Sequence, residues 1–266
     1  IEPVWGISPA LDAQNQRRLG IALDNCPEAY RVSAGSLMRL AQAATSIQLR
    51  HYPQARGLLL RQHRRCKPEI IRYCDEFVYG GQLERLGNPT AFASLGLPPL
   101  GYVHIAGECI GAGSRSNPEE AEAIARWLAL KKPELLAAAQ RQVATGSPAA
   151  RLQDIVAVVT PFSAQRSTIS RALQTVGLGN ENITVGTVHA LQGAERPIIL
   201  FSPVYDARHQ GSYFFDRGYN LLNVAVSRAK EAFIVVGNRC LFNPSINTPS
   251  GNLAKLLLAE PADTKQ

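Results

Sequence analysis

Two short polar clusters hold the side chains with the most chemistry to offer. The first is Thr187-Val188-His189-Ala190-Leu191-Gln192-Gly193-Ala194-Glu195; the second is Asn223-Val224-Ala225-Val226-Ser227-Arg228-Ala229-Lys230. A hydroxyl, an imidazole, a Gln-Gly turn, a carboxylate and an arginine thus fall within one stretch, residues 183–238, between three apolar runs that read as strands. Arginine suits work on phosphate because it stays charged and presents a planar fork of donors. Polar groups at strand ends of an open α/β sheet are expected in the crevice beyond the carboxyl ends, where ligands bind.

The elements that must position these groups are legible upstream. Ile155-Val156-Ala157-Val158-Val159 is a continuous β-branched run, as a parallel strand buried on both faces requires. It breaks at Thr160-Pro161-Phe162, and Gln165, Ile169, Ala172, Leu173 and Val176 follow at helical spacing, with Thr160 the expected cap. Residues 58–83 read as a short apolar strand, a basic run (Arg61, His63, Arg64, Arg65) and a helix. That helix starts near Pro68, carries Ile70, Ile71, Cys74 and Phe77 on one stripe and ends at Gly80-Gly81. Asn117-Pro118-Glu119-Glu120 is a helix start in which Asn caps and Glu120 completes a capping box. Residues 7–50 read as a linker with one amphipathic helix after Ser36, and residues from Cys240 onward as a loop and a short helix. The aromatic segment 206–219 exceeds the usual connection of about 2–6 residues, and it is expected to order with substrate or a neighbouring domain.

Composition bounds the rest. A chain of 266 residues, 45% hydrophobic, makes one large domain or two small ones, and a net charge of +7 favours a polyanionic partner. Five cysteines without a C-x-x-C pair indicate neither a zinc site nor a disulfide framework; reduced thiols in the cytoplasm are expected, with no metal held by this chain. No apolar run approaches the roughly 20 residues of a membrane span. No G-x-x-x-x-G-K-[ST] occurs, so no P-loop is present. Gly107-x-x-x-Gly111-x-Gly113 between a strand and a helix mimics a dinucleotide-binding turn, but the third glycine of G-x-G-x-x-G is Ser116, and no acidic residue closes a second strand.

The order T-x-H-A-x-Q-G-x-E, an apolar strand, then N-V-A-x-S-R-A-K and a strand closing on V-G-N resembles motifs V and VI of superfamily 1 helicases of the Upf-like branch. His63-Arg64-Arg65-Cys66-Lys67-Pro68 is similar to that family's Q-Y-R-x-H-P, and T-P-F-x-x-Q to its T-P-Y-x-x-Q. The opening Ile1-Glu2-Pro3-Val4-Trp5 resembles the exit from motif III, so a piece of a longer protein is expected.

The resemblance implies an α/β, three-layer RecA-like fold with a mostly parallel sheet. Its expected divisions are a linker and helix at 1–57, the second RecA-like domain at 58–246 and a tail at 247–266. Arg65 and Arg228 would act as arginine fingers. Gln192, Gly193, Glu195 and Lys230 would serve ATP, with Glu195 accepting from the ribose hydroxyls, and Gln165 would serve either the nucleotide pocket or the strand path. Thr160, Pro161, Phe162, Thr187 and His189 would hold single-stranded nucleic acid, DNA or RNA. The first RecA-like domain of the same polypeptide would supply the P-loop and hold Mg, and without it this chain would not hydrolyse ATP. The competing readings are a non-catalytic nucleic-acid-binding module and a dinucleotide-binding enzyme.

Overall fold

The structure, a computed structural model, describes residues 7–22, 24, 26–49, 52–86, 95–141, 148–188, 195–209, 211 and 213–259. It falls into two compact units, residues 1–61 and 62–266.

The first unit contains α1 (Pro9–Arg18), α2 (Leu37–Ala44) and an antiparallel pair, β1 (Gln48–Leu49) with β2 (Tyr52–Arg56). Ser36 caps α2 as its position suggests, its Oγ accepting from Arg39 N at 3.2 Å. Helix α1 was not anticipated. Its mostly polar sequence has no apolar stripe, and Asp12 instead ties it down by accepting from Ser33 N and Ser33 Oγ. Among the described residues of this unit no large apolar side chain is buried, while Leu19, Leu37 and Met38 are exposed.

The second unit comprises β3 (Gln62–His63), α3 (Pro68–Phe77), β4 (Glu84–Arg85), β5 (Leu100–His104), α4 (Pro118–Gln140), α5 (Leu152–Ile155), β6 (Val156–Val159), α6 (Ser163–Thr175), β7 (Thr184–Gly186), β8 (Arg196–Phe201), α7 (Asn220–Val226), β9 (Ala229–Gly237), α8 (Pro249–Ala254) and β10 (Leu258–Ala259). Six strands form one sheet in the order β10-β5-β9-β8-β6-β7, every described pairing parallel.

Alternation along the central strands splits the core in two. Ala157, Val159, Ile199, Phe201, Phe233 and Val235 face a cluster with α3, α7 and α8; Val156, Val158, Ile198, Leu200, Ile234 and Val236 face another with α4, α5 and α6. The α/β three-layer arrangement therefore stands as expected.

Several local expectations are corrected. Leu58 and Leu60 are exposed rather than in a strand. The tail adds β10 to the sheet beside β5 instead of only packing against it. Separately from these corrections, Asp206 takes hydrogen bonds from Cys109 N at 2.8 Å, Arg208 N at 2.9 Å and Arg208 Nε at 3.0 Å. Asn117 does cap α4, accepting from Glu120 N at 3.1 Å, but the box is not closed. The Glu120 carboxylate turns inward, taking hydrogen bonds from Ser202 Oγ at 2.5 Å and Val204 N at 3.0 Å. Gln165 takes its place, accepting from Asn117 N at 2.8 Å and donating to Asn117 O and Ser202 Oγ.

Candidate nucleotide and strand sites

Arg65 lies in the turn between β3 and α3, and that turn is stitched to the junction of α7 and β9. Lys67 N donates to Lys230 O at 2.9 Å, Cys66 Sγ contacts Ser227 O at 3.5 Å, and Lys67 Nζ stands 3.1 Å from the buried Glu231 carboxylate. Arg228 occupies that junction. Its Nε donates to Val224 O at 3.2 Å, and its carbonyl accepts from Arg196 N at 3.1 Å, which brings Glu195 alongside. Glu195 then holds Arg65 Nε at 3.0 Å and Lys230 Nζ at 3.4 Å. Two guanidinium groups 163 positions apart in the chain (228 minus 65) thereby share one neighbourhood.

The electrostatics of this cluster are unbalanced. Two cations, Arg65 and Lys230, meet the one carboxylate of Glu195, and among the described residues the neighbouring Arg228 has no carboxylate partner. Burial, and then the charge of Arg65, push the Arg228 guanidinium below its ordinary value. His63 is also pushed down by burial and by Arg65, and its Nε2 accepts from Cys66 N at 3.2 Å. Burial drives the Cys66 thiol up to about 12, so it is no nucleophile. Half-exposed ion pairs such as Arg65–Glu195 contribute about 0–1 kcal/mol, so an incoming polyanion can displace them at little cost.

The position of the cluster departs from expectation. Glu195, Arg228 and Lys230 gather at the amino ends of β8 and β9, not beyond the carboxyl ends. Thr187 is at the other end, following β7, where Thr160 also lies, its N donating to Gly186 O at 3.0 Å. Thr187, Pro161 and Phe162 are half-buried, but Thr160 is wholly buried and its hydroxyl has no partner among the described residues. Thr160 does not cap α6; the cap position is Phe162, whose side chain bonds nothing. A strand contact by Thr160 would require its covering residues to move. Gln165 is enclosed and spent on Asn117 and Ser202, so it faces neither nucleotide nor strand. His189, Gln192 and Gly193 lie outside the described residues.

The glycine-rich mimic of a dinucleotide turn is a small hairpin. Ile110 and Ser116 exchange backbone hydrogen bonds at 2.8 and 2.9 Å, and Gly111 turns the chain at φ 94°. A Cβ at Gly107 would stand 2.3 Å from Asn117 Oδ1, so that glycine serves the packing of the α4 cap. Among the described residues no group of His, Cys, Asp and Glu could hold a metal ion, and no helix is long and apolar enough to cross a membrane.

A family model described as an AAA domain matches residues 36–240. The chain belongs to that family. It is a RecA-like domain of the superfamily 1 helicase type, Upf-like branch, in keeping with its curated relatives. It is 37% identical over 91 residues to the ATP-dependent helicase upf1 of Schizosaccharomyces pombe, covering 33% of this chain and 10% of that protein. It is 28% identical over 203 residues to the putative helicase mov-10-B.1 of Danio rerio, covering 67% and 19%. Among solved structures, the C-terminal domain of a possible DNA helicase from Lactobacillus plantarum WCFS1 superposes with a TM-score of 0.43 at 14% identity, over 74% of this chain and 98% of that one, too loosely to carry weight. The chain spans a tenth and a fifth of the length of the two helicases it matches.

Proposed function

We propose that this RecA-like domain is the second motor domain of an ATP-dependent nucleic-acid helicase or translocase. The observation that carries the reading is the pairing of Arg65 and Lys230 on the single carboxylate of Glu195, with the unpaired Arg228 guanidinium in the same electrostatic neighbourhood. A triphosphate supplies the anionic charge that this surplus of cations fits. In that reading ATP, with Mg held by the first RecA-like domain of the same polypeptide, lies between the two domains. Arg65 and Arg228 then donate to the γ-phosphate oxygens and offset the charge that develops there in the transition state. Glu195, freed from Arg65, is left to accept from the ribose hydroxyls. Lys67 and Glu231 hold the Arg65 turn against β9, so both arginines move as one body when the cleft closes.

At the opposite end of the sheet, Thr187, Pro161 and Phe162 hold single-stranded nucleic acid by its phosphates, joined by Thr160 once its covering residues move and by His189 of the same motif, contacts that position a strand without reading its sequence. Exposed Leu37 and Met38 in the first unit support a protein neighbour. In the intact protein, Arg228→Ala is expected to reduce strand-stimulated ATP hydrolysis by roughly 10³-fold or more while leaving oligonucleotide affinity nearly unchanged. Undiminished turnover would refute the role of Arg228.

A further inference from the structure

The hairpin at 110–116 has no part in the reading above, yet it delivers two side chains to the start of α6. Ser114 Oγ accepts from Ala164 N at 2.9 Å and lies 3.0 Å from Ser163 Oγ, so a residue from another element caps the helix. Beside it, the Arg115 guanidinium lies over two aromatic rings, 5.7 Å from the Phe162 centroid and 5.3 Å from that of Tyr205. Those rings meet edge to face at 5.5 Å, and Tyr205 OH donates no help to Arg115 but accepts from Phe214 N at 3.0 Å. The guanidinium is therefore oriented by π faces alone. Its Nε is buried without an acceptor, and among the described residues it has neither a hydrogen bond nor an ion pair.

Among the described residues no carboxylate forms an ion pair with it. Asp206, the carboxylate of the adjoining loop, is spent on Arg208, His209 and Cys109 N. Thr160, which precedes the same helix, is wholly buried with its hydroxyl unpartnered. A guanidinium held over two rings with unspent donors, beside the N-terminal end of a 13-residue helix, suits an anion with several acceptor oxygens.

We propose that Arg115 is a phosphodiester ligand for single-stranded nucleic acid, set by the 110–116 hairpin against the start of α6. The assignment rests on the strand-binding reading and adds to it a residue outside its motifs. Phe162 acts here by stacking under the guanidinium, which lets Arg115 face the strand with its fork already oriented.

The test is fluorescence anisotropy of a labelled 15-nucleotide oligothymidylate with the full chain over a salt series, comparing Arg115→Ala, Arg115→Gln and Arg115→Lys. Arg115→Ala and Arg115→Gln should each weaken binding about tenfold. The slope of log affinity against log salt should fall by about 0.7, the share of one single-strand phosphate contact. Arg115→Lys should keep the slope, because the charge remains. Variants that melt like the unsubstituted chain yet bind with its affinity and slope would overturn the proposal while leaving the broader reading intact. Failure of the unsubstituted chain to bind would overturn both. Inorganic phosphate at matched ionic strength should displace nothing; displacement that depends on Arg115 would assign the site to free anions and overturn the strand assignment.

Discussion

Glu120 offers the sharpest quantitative test, because a single proton on it changes stability by an amount the structure sets. Its carboxyl is fully enclosed at the start of α4, and burial outweighs the donors Ser202 Oγ and Val204 N, raising it from 4.5 to about 8. Between those two values the native state binds more protons than the unfolded chain. Stability therefore falls as pH rises through this window and levels off above it. At about 1.4 kcal/mol per pH unit, moving from pH 5.5 to 7.5 costs roughly 2–3 kcal/mol from this group alone.

Glu120→Gln keeps an oxygen to accept from Ser202 and Val204 but cannot ionise, so it should remove that dependence. Urea melts of both proteins at pH 5.5, 6.5 and 7.5 measure it. The stability of Glu120→Gln relative to the unsubstituted chain should climb by roughly 2–3 kcal/mol across the series. Parallel pH profiles would show that Glu120 is ionised in the native state, and the assigned balance of burial against hydrogen bonding would be wrong.

Two further outcomes follow from the buried Lys67–Glu231 pair and the free thiols. Lys67→Ala leaves the Glu231 carboxylate buried at 2% exposure without its cation and should destabilise the domain by about 3–5 kcal/mol, whereas the pair Lys67→Met with Glu231→Leu should lie near the unsubstituted value in chemical denaturation. All five cysteines are free, and a thiol-reactive dye should label exposed Cys240 first in the native chain. Cys66, raised to about 12, and enclosed Cys74 should label only on unfolding, so rapid native labelling of either would contradict the packing around α3.

Much of the scaffold is a matter of local sequence. The β-branched run that ends at Val159 forms β6, Pro68 opens α3 and Ser36 caps α2, because strand burial, proline geometry and capping act over a few residues. The spacing of Arg65, Glu195, Arg228 and Lys230 also pointed to one polyanion-binding neighbourhood, through family pattern rather than local physics.

Tertiary structure decided which end of the sheet each group occupies. Thr187 follows the carboxyl end of β7 and Glu195 precedes the amino end of β8, and since both strands run parallel to β6 these positions fall at opposite ends of the strands. Thr187 and Glu195, neighbours in one motif, are therefore set apart. The destinations of Glu120 and Gln165 were hidden for the same kind of reason: a capping box is a local bargain, but Ser202 and Val204, 82 and 84 residues further on, offered the carboxylate a buried alternative. Arg115 was likewise silent in the sequence, because the two rings that orient it, Phe162 and Tyr205, meet only when β6 and β8 lie side by side.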